Sequence, residues 1–401
     1  MRSQEPVVVL ETRVVRGSGG GPDKTILNSP RFLEGQGYRV VCAYMHPPDD
    51  PGFSALRKKA EQWGARLLSV PDRGPIDLRV LREFLRICRR ERVTIWHGHD
   101  YKSNLVGLLL RPFWKMRLVT TVHGWVDHRI KLYYWIDRFC LRYYERVICV
   151  SKDLYEQSLA CGVPDNRCIL IENAVDITEF ARTMSPFEAR ARLGENSTRP
   201  VIGAVGRLSV EKGFDILIQA ADQLLSEGHD FEVWIVGEGD QREPLQSLID
   251  RLGRGDKIRL LGYRTDTIEV YQAMDIYALS SLREGLPNVV LEAMALGIPV
   301  AATRIAGVPL LVQDGQNGLM VEPGSKADLA NALGRLLSDS DLRAKLGREA
   351  RATVEAGYSF DRRMEKVRHV LDDLMRQSTS PLTGENAAEV YPQGNMTKVE
   401  G

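Results

Sequence analysis

The sequence lacks several features that would fix its class at once. No stretch approaches the roughly 18 consecutive apolar residues of a transmembrane helix, and the N-terminal MRSQEPVVVL does not have the shape of a secretory signal peptide. The formal net charge is only +1 over 401 residues, which excludes whole-molecule electrostatic binding, so we expect no nucleic-acid partner. The six cysteines form no C-x-x-C pair and are typical of reduced, buried thiols. We therefore predict a cytoplasmic protein of two or three domains.

Short apolar runs alternate with amphipathic stretches along most of the chain. This order predicts α/β units, in which parallel sheets are covered by helices on both faces. The polar segment 186–200 interrupts the alternation and is predicted to link an N-terminal domain, residues 1–185, to a second domain of the same kind, residues 201–357. The polar tail 378–401 has little periodicity and is expected to be disordered.

The strongest chemical signal lies in Ala278–Pro299, ALSSLREGLPNVVLEAMALGIP. Glu284 follows a strand, Pro287 suits the first turn of a helix, and Glu292 falls about one turn into that helix. Two carboxylates can thus approach one ligand, where each accepts hydrogen bonds from the hydroxyls of a sugar or ribose. Two unrelated surface glutamates would explain the same letters.

Two further loops follow strand ends. VGRLSVEKG places Arg207 and Lys212 beyond a strand, where flexible cations can clamp a diphosphate or simply face solvent. The glycine-rich Gly17–Pro22, GSGGGP, allows close approach of the backbone to a ligand. It is neither the dinucleotide fingerprint nor a P-loop, and a flexible turn explains it equally well.

Histidines cluster in the first half, at the ends of neighbouring strands. His97 and His99 end one strand in WHGHD, and His123 ends the next in TVHG. The ends of parallel strands face one cleft, so metal ligation and substrate contact are both open. For His123, which precedes Gly124, ligand contact is favoured over a core position; for His97 and His99 the two interpretations stay level.

Basic and aromatic residues mix in RPFWKMR and in Arg129–Arg146. This composition suits either an anionic membrane surface or an amphipathic helix that packs on the sheet. For the second segment the packed helix is slightly favoured. An anionic membrane surface stays a candidate partner, with the protein peripheral on the inner face of the membrane.

The second half resembles the retaining glycosyltransferases with two Rossmann-like domains, the GT-B fold of glycogen and sucrose synthases and of many bacterial polysaccharide and lipid glycosyltransferases. The matching stretches, which keep the family's order and spacing over nearly the whole domain, are VGRLSVEKGFDILIQA, VWIVGEGDQREPLQ, IRLLGYRTD and SSLREGLPNVVLEAMALGIPVAATRIAGVPLLVQDGQNGLMVEPG. The first half matches more loosely, through the glycine loop, TVHG and the stretch before the linker. The family also implies that residues 358–377 form a last helix crossing back to the first domain.

The resemblance implies a role for each motif. A nucleotide-sugar donor, with UDP or GDP, would have its diphosphate neutralised by Arg207 and Lys212, its sugar contacted by Glu284 and its ribose by Glu292. His123 would contact the donor sugar near the acceptor. The remaining donor-binding positions would be the glycine loop, the helix start and the loop near the base, namely Gly19, Gly20, Gly21, Gly285, Leu286, Pro287, Asn288 and Tyr263. The run Gly-Gly-Gly-Pro-Asp departs from the family's usual loop, which leaves the register of the glycines open.

The implied function is transfer of a hexose to a glycan or lipid-linked acceptor with retention of configuration, in cell-surface polysaccharide or glycolipid synthesis. No metal or other cofactor is expected, because the two cations would supply the charge. A metal-dependent hydrolase using His97, His99, Asp100 and His123 stays an alternative, as does a non-catalytic nucleotide-sugar sensor. The sugar, base, acceptor and oligomeric state are not fixed by the sequence.

Overall fold

The structure is a computed structural model that describes residues 5–17, 19–124 and 131–377. The tail 378–401, predicted to be disordered, and the first two residues of the segment Arg129–Arg146 lie outside the described residues.

The N-terminal domain is a seven-stranded parallel sheet in the order β3-β2-β1-β4-β5-β6-β7. Its strands are β1 Val7–Val14, β2 Tyr38–His46, β3 Leu67–Pro71, β4 Ile95–Gly98, β5 Arg117–Val122, β6 Arg146–Cys149 and β7 Cys168–Leu170. Its helices are α1 Gly21–Leu33, α2 Pro51–Gln62, α3 Leu78–Glu91, α4 Tyr101–Leu110, α5 Lys131–Leu141 and α6 Lys152–Ala160. Polar caps begin four of these helices: Asp50, Asp77, Asp100 and Ser151 each accept from a backbone amide of the first turn.

The C-terminal domain is a six-stranded parallel sheet in the order β10-β9-β8-β11-β12-β13. Its strands are β8 Val201–Val205, β9 Glu232–Val236, β10 Ile258–Gly262, β11 Ile276–Leu279, β12 Val300–Thr303 and β13 Leu319–Val321. The helices after β7 are α7 Pro186–Arg192, α8 Phe214–Ser226, α9 Arg242–Leu252, α10 Thr267–Gln272, α11 Asn288–Ala295, α12 Val308–Leu311, α13 Lys326–Ser338, α14 Ser340–Gly357 and α15 Phe360–Arg376. Helix α7 lies in the segment predicted to be a linker. The prediction of two Rossmann-like domains is confirmed.

The two sheets share a feature that locates a ligand site. In each of them the order of the strands reverses at one point, between β1 and β4 in the first and between β8 and β11 in the second. Loops that leave the carboxyl ends of such strands diverge to opposite faces and open a crevice. Functional side chains are therefore expected after these four strands.

The last helix, α15, packs on the N-terminal sheet. Phe360 and Met364 belong to the same buried cluster as Val9 and Ile95 of the first sheet. Backbone hydrogen bonds tie Val175 to the start of the helix, from Val175 N to Tyr358 O at 3.0 Å and from Phe360 N to Val175 O at 2.9 Å. The chain thus returns to its first domain, and both domains are anchored at this point.

Several element bounds differ from the sequence expectation. The strand expected at Val93–Trp96 is Ile95–Gly98, so His97 lies inside β4 rather than beyond it. The three-residue strand β7 has no counterpart among the predicted strands. Pro287, expected in the first helical turn, is instead the N-cap of α11.

Candidate active site

Two loops of the C-terminal domain are tied together at the point where its strand order reverses. The Oγ of Ser280, after β11, donates to the Lys212 carbonyl at 2.9 Å. Gly213 has a φ of +59°, and a Cβ there would lie 2.3 Å from the Ser280 carbonyl oxygen. Only glycine therefore permits this approach. The loop after β8 is held rigidly against the loop after β11.

This arrangement brings the predicted diphosphate and sugar residues together. Lys212 Nζ lies 2.5 Å from Glu284 Oε1, which also accepts from Ser281 Oγ at 2.8 Å. Arg207 pairs with Glu211 at 2.6 Å, yet its side chain is 71% exposed and free to reorient. Lys212 and Glu284 thus contact each other, and Arg207 lies in the same loop after β8, while their roles toward a donor stay predictions.

Glu292 has a partner that the sequence analysis missed. Its carboxylate is buried on α11 and forms an ion pair with Lys24, which lies on α1 of the other domain. The Lys24 ammonium also lies 5.5 Å from the centroid of the Phe180 ring. Glu292, the residue predicted to contact the ribose, is therefore paired with a cation from the other domain.

The glycine loop faces the start of α11. A Cβ on Gly21 would lie 3.4 Å from Asn288 Nδ2, and Gly20 is the N-cap of α1. Among the described residues, the buried Asn288 Oδ1 has no hydrogen-bond partner. Asn173 of the first domain donates to the Leu286 carbonyl at 3.2 Å. Asn288 thus lies beside Gly21, and Leu286, which the predicted positions Gly285 and Pro287 flank, contacts the first domain. Tyr263 follows β10 and is 63% exposed.

The three histidines form one hydrogen-bonded group with a residue that the sequence analysis did not single out. Glu11 on β1 lies beside His97 on β4 and contacts both His97 and His99. His99 Nδ1 lies 2.9 Å from Nε2 of His123, which is partly buried. His97 and His99 are almost fully buried, which favours a core position over ligand contact, the two interpretations that the sequence left level for these side chains. Glu11 was detectable as a lone carboxylate among the apolar residues of a buried parallel strand.

A metal site was one interpretation of these histidines. Glu11, His97 and His99 do place one donor atom each within 4.8 Å of one another. However, all four ring nitrogens of His97 and His99 already have protein partners, with Thr121 Oγ1 completing the set at 2.8 Å from His97 Nε2. Asp100, the fourth expected ligand, caps α4 through the amides of Lys102 and Ser103. The hydrogen bonds alone account for the cluster, so the geometry does not favour the hydrolase.

Aromatic side chains are exposed along α5 and after α4, which packs beside it. Trp135 is 64% exposed and Phe139 is 55% exposed, and Phe113 is 68% exposed. The Arg138 guanidinium lies 5.8 Å from the centroid of the Trp135 ring. The expectation that this segment only packs on the sheet is therefore incomplete. Within the described part of the chain, no helix combines the length and hydropathy needed to cross a bilayer.

Known proteins resemble the chain over both domains. The family described as Glycosyl transferases group 1 matches residues 186–353, and Glycosyltransferase Family 4 matches residues 19–179. The D-inositol 3-phosphate glycosyltransferase of Corynebacterium jeikeium is 32% identical over 317 residues, which cover 72% of this chain and 75% of that protein. An Escherichia coli UDP-Gal:alpha-D-GlcNAc-diphosphoundecaprenol alpha-1,3-galactosyltransferase is 26% identical, covering 75% of this chain and 80% of its own length.

Solved structures share the same architecture. Anabaena Alr3699/HepE in complex with UDP-glucose has a TM-score of 0.77 at 21% identity, covering 91% of this chain and 99% of that one. With two facing Rossmann-like domains and a charged crevice at the second switch point, the molecule is of the GT-B class. The chain belongs to the group 1 glycosyltransferases.

Proposed function

We propose that the chain transfers a hexose from a UDP- or GDP-sugar to a glycan or lipid-linked acceptor, with retention of anomeric configuration. The observation that supports this best is the contact of Lys212 with Glu284 at the switch point of the C-terminal sheet. The relatives support the class of substrate, since one is named as a UDP-galactose-dependent transferase with a lipid-linked acceptor and a structural neighbour holds UDP-glucose. Such a reaction serves cell-surface polysaccharide or glycolipid synthesis.

The difficult step is departure of the nucleoside diphosphate, because negative charge builds on its leaving oxygen. In the proposed mechanism Lys212 exchanges Glu284 for a phosphate oxygen, and the exposed Arg207 turns from Glu211 to the same group. Fixed cations in a water-poor cleft stabilise such charge strongly. Together they would supply the charge that a metal ion provides elsewhere, so we propose no cofactor.

Retention follows in this scheme if the acceptor attacks from the face that the diphosphate leaves. The leaving phosphate oxygen then takes the proton of the acceptor hydroxyl. Glu284, released from Lys212, accepts hydrogen bonds from the sugar hydroxyls. Proton NMR of the first product formed tests this directly: an anomeric proton of unchanged configuration is expected, and an inverted product would contradict the scheme.

Turnover is tested by release of nucleoside diphosphate from UDP- and GDP-hexoses with lipid-linked and free glycan acceptors. We expect Lys212→Met to lower kcat by about 100-fold or more, the usual effect of removing one group that stabilises developing charge. Lys257→Met is the matched control, since Lys257 pairs with Asp230 away from the switch point. Donor binding without turnover for any acceptor would instead indicate a nucleotide-sugar sensor.

We further propose that the protein acts in the cytoplasm, peripheral on an anionic membrane surface. Exposed Trp135 and Phe139 beside Arg138 offer the combination of apolar rings and positive charge that suits a lipid interface. Sedimentation with phosphatidylglycerol vesicles at low salt should capture the wild type and release Trp135→Ser/Phe139→Ser. Equal recovery with neutral phosphatidylcholine vesicles, or no binding at low salt, would refute the proposal.

A further inference from the structure

A chain of buried side chains extends from the middle of β1 to the cleft. Glu11 Oε2 lies 2.5 Å from His99 Nε2, and Glu11 Oε1 lies 3.2 Å from His97 Nδ1. The other nitrogen of His99, Nδ1, lies 2.9 Å from His123 Nε2. Parallel pairing of β1 with β4, which sets Glu11 opposite His97, fixes the beginning of this chain.

The order of donors and acceptors in the chain follows from Glu11. An ionised carboxylate only accepts, so both histidines that contact it must present N–H groups. A neutral His99 with its proton on Nε2 has a lone pair on Nδ1, and His123 Nε2–H then donates to that lone pair. In a neutral imidazole, the nitrogen opposite an N–H is an acceptor, so His123 Nδ1 is left unprotonated.

The protonation states agree with this order. Burial raises the pKa of Glu11, but attraction to His97 and hydrogen bonds from His97 and His99 outweigh it and lower the pKa to about 2. Burial, and next the charge of His97, lowers the pKa of His99 to about 4. Burial lowers the pKa of His123 well below its usual range, and next the charge that His99 would carry when protonated, Arg13 on β1 and Arg363 on α15 act in the same direction.

We propose that Glu11 and His99 are positioning residues that fix His123 in the Nε2–H tautomer, so that His123 meets its ligand as a hydrogen-bond acceptor through Nδ1. An acceptor at this place recognises a hydroxyl group and disfavours a phosphate oxygen, which has no proton to donate. The ligand class is therefore a sugar hydroxyl of the donor. This specificity rests on the proposed function, whereas the tautomer itself does not.

The test has two independent parts. The first is nitrogen-15 NMR of histidine-labelled protein at pH 7, with the His123 signals assigned from a His123→Asn spectrum. We expect wild-type His123 to be neutral with its proton on Nε2, and Glu11→Gln to populate the other tautomer, because an amide can donate to His99 as well as accept. An Nδ1–H tautomer or an imidazolium in the wild type would overturn the proposal, as would a Glu11→Gln spectrum identical to that of the wild type.

The second part compares the binding of UDP-glucose and UDP by calorimetry, because UDP lacks the sugar. Loss of one hydrogen bond to a hydroxyl should weaken UDP-glucose binding in Glu11→Gln about fivefold and leave UDP binding unchanged. His46→Gln is the matched control, because His46 is a buried histidine that is hydrogen-bonded to Ser69, between β2 and β3. It should change the binding of neither UDP-glucose nor UDP. Equal weakening of UDP and UDP-glucose binding, or no effect on either ligand, would overturn the role in sugar recognition. If the wild type binds neither ligand, a UDP-sugar is excluded as the donor, and the tautomer measurement still decides the positioning role.

Discussion

The ion pair between Lys24 and Glu292 predicts that the free enzyme blocks its own ribose position. Lys24 reaches from α1 across the cleft to a carboxylate that is only 6% exposed, while its own side chain is 37% exposed. A nucleoside that binds Glu292 through its ribose hydroxyls must displace this ammonium group. Replacing Lys24 with Met should therefore strengthen nucleotide binding.

The size of the effect follows from the exposure of the pair. Ion pairs with one solvent-exposed partner contribute up to about 1 kcal/mol, which corresponds to about a fivefold change in dissociation constant. Removing Lys24 also takes from the buried Glu292 carboxylate the cation with which it is paired in the free protein, which acts in the same direction. We expect Lys24→Met to bind the cognate nucleoside diphosphate about fivefold more tightly.

Isothermal titration calorimetry measures this directly, with UDP, GDP and ADP compared on the wild type first. Lys58→Met, an exposed lysine on the neighbouring helix α2, controls for the loss of one positive charge from the domain. Weaker binding by Lys24→Met would refute the reasoning and would mean that Lys24 contacts the nucleotide itself. Unchanged binding would show that the pair does not compete with the ligand.

Three further outcomes are expected. Burial lowers the pKa of His99 to about 4 in the folded protein. Because the unfolded chain binds that proton near pH 6.5, the contribution of His99 to the free energy of unfolding is fully present above pH 6.5. It is lost as the pH falls toward 4, by about 3 kcal/mol for this group. Urea titrations at several pH values should show this loss in the wild type, and a His99→Gln protein that keeps the same slope would contradict it. Arg363 is buried on α15 and donates to two backbone carbonyls of the first domain, so Arg363→Met should destabilise the protein by about 3 kcal/mol. Arg362→Met, at an exposed position of the same helix, should change stability little. Equal melting curves for Arg363→Met and the wild type would contradict the expectation. Gly213→Ala would place a Cβ 2.3 Å from a backbone carbonyl at positive φ, so transferase activity should fall about tenfold or more as the β8 loop shifts; full activity would show that the loop accommodates the change.

The fold follows from local patterns in the sequence. Segments such as Val7–Leu10 and Val201–Val205 are apolar runs, and several helices between them have polar caps and one apolar face, so their order predicts parallel sheets without any long-range information. The exact bounds depend on pairing between strands. The register of β4 with β1 extends it to Gly98, and this brings His97 into the sheet.

The candidate site could be predicted where each motif is local, and not where it depends on contacts between distant segments. Glu284 and Glu292 lie within one strand, loop and helix, so the prediction that they approach one ligand needs only the sequence spacing. Lys24 is 268 positions from its partner Glu292, and Glu11 is 88 positions from His99, so no local pattern links them. The docking of two domains determines the first contact, and the order of the strands determines the second.

The most direct test of the donor site is a thermal-shift experiment on the wild type and Glu292→Ala, with UDP, GDP, ADP and their hexose derivatives. A ligand that binds only the folded protein raises its melting temperature. At a ligand concentration of 100 times the dissociation constant, the free energy of unfolding increases by about 2.7 kcal/mol. The exposed Glu322→Ala serves as the control. The account predicts a shift with one nucleotide, smaller in Glu292→Ala and unchanged in the control. No shift with any nucleotide, or a full shift in Glu292→Ala, would contradict it.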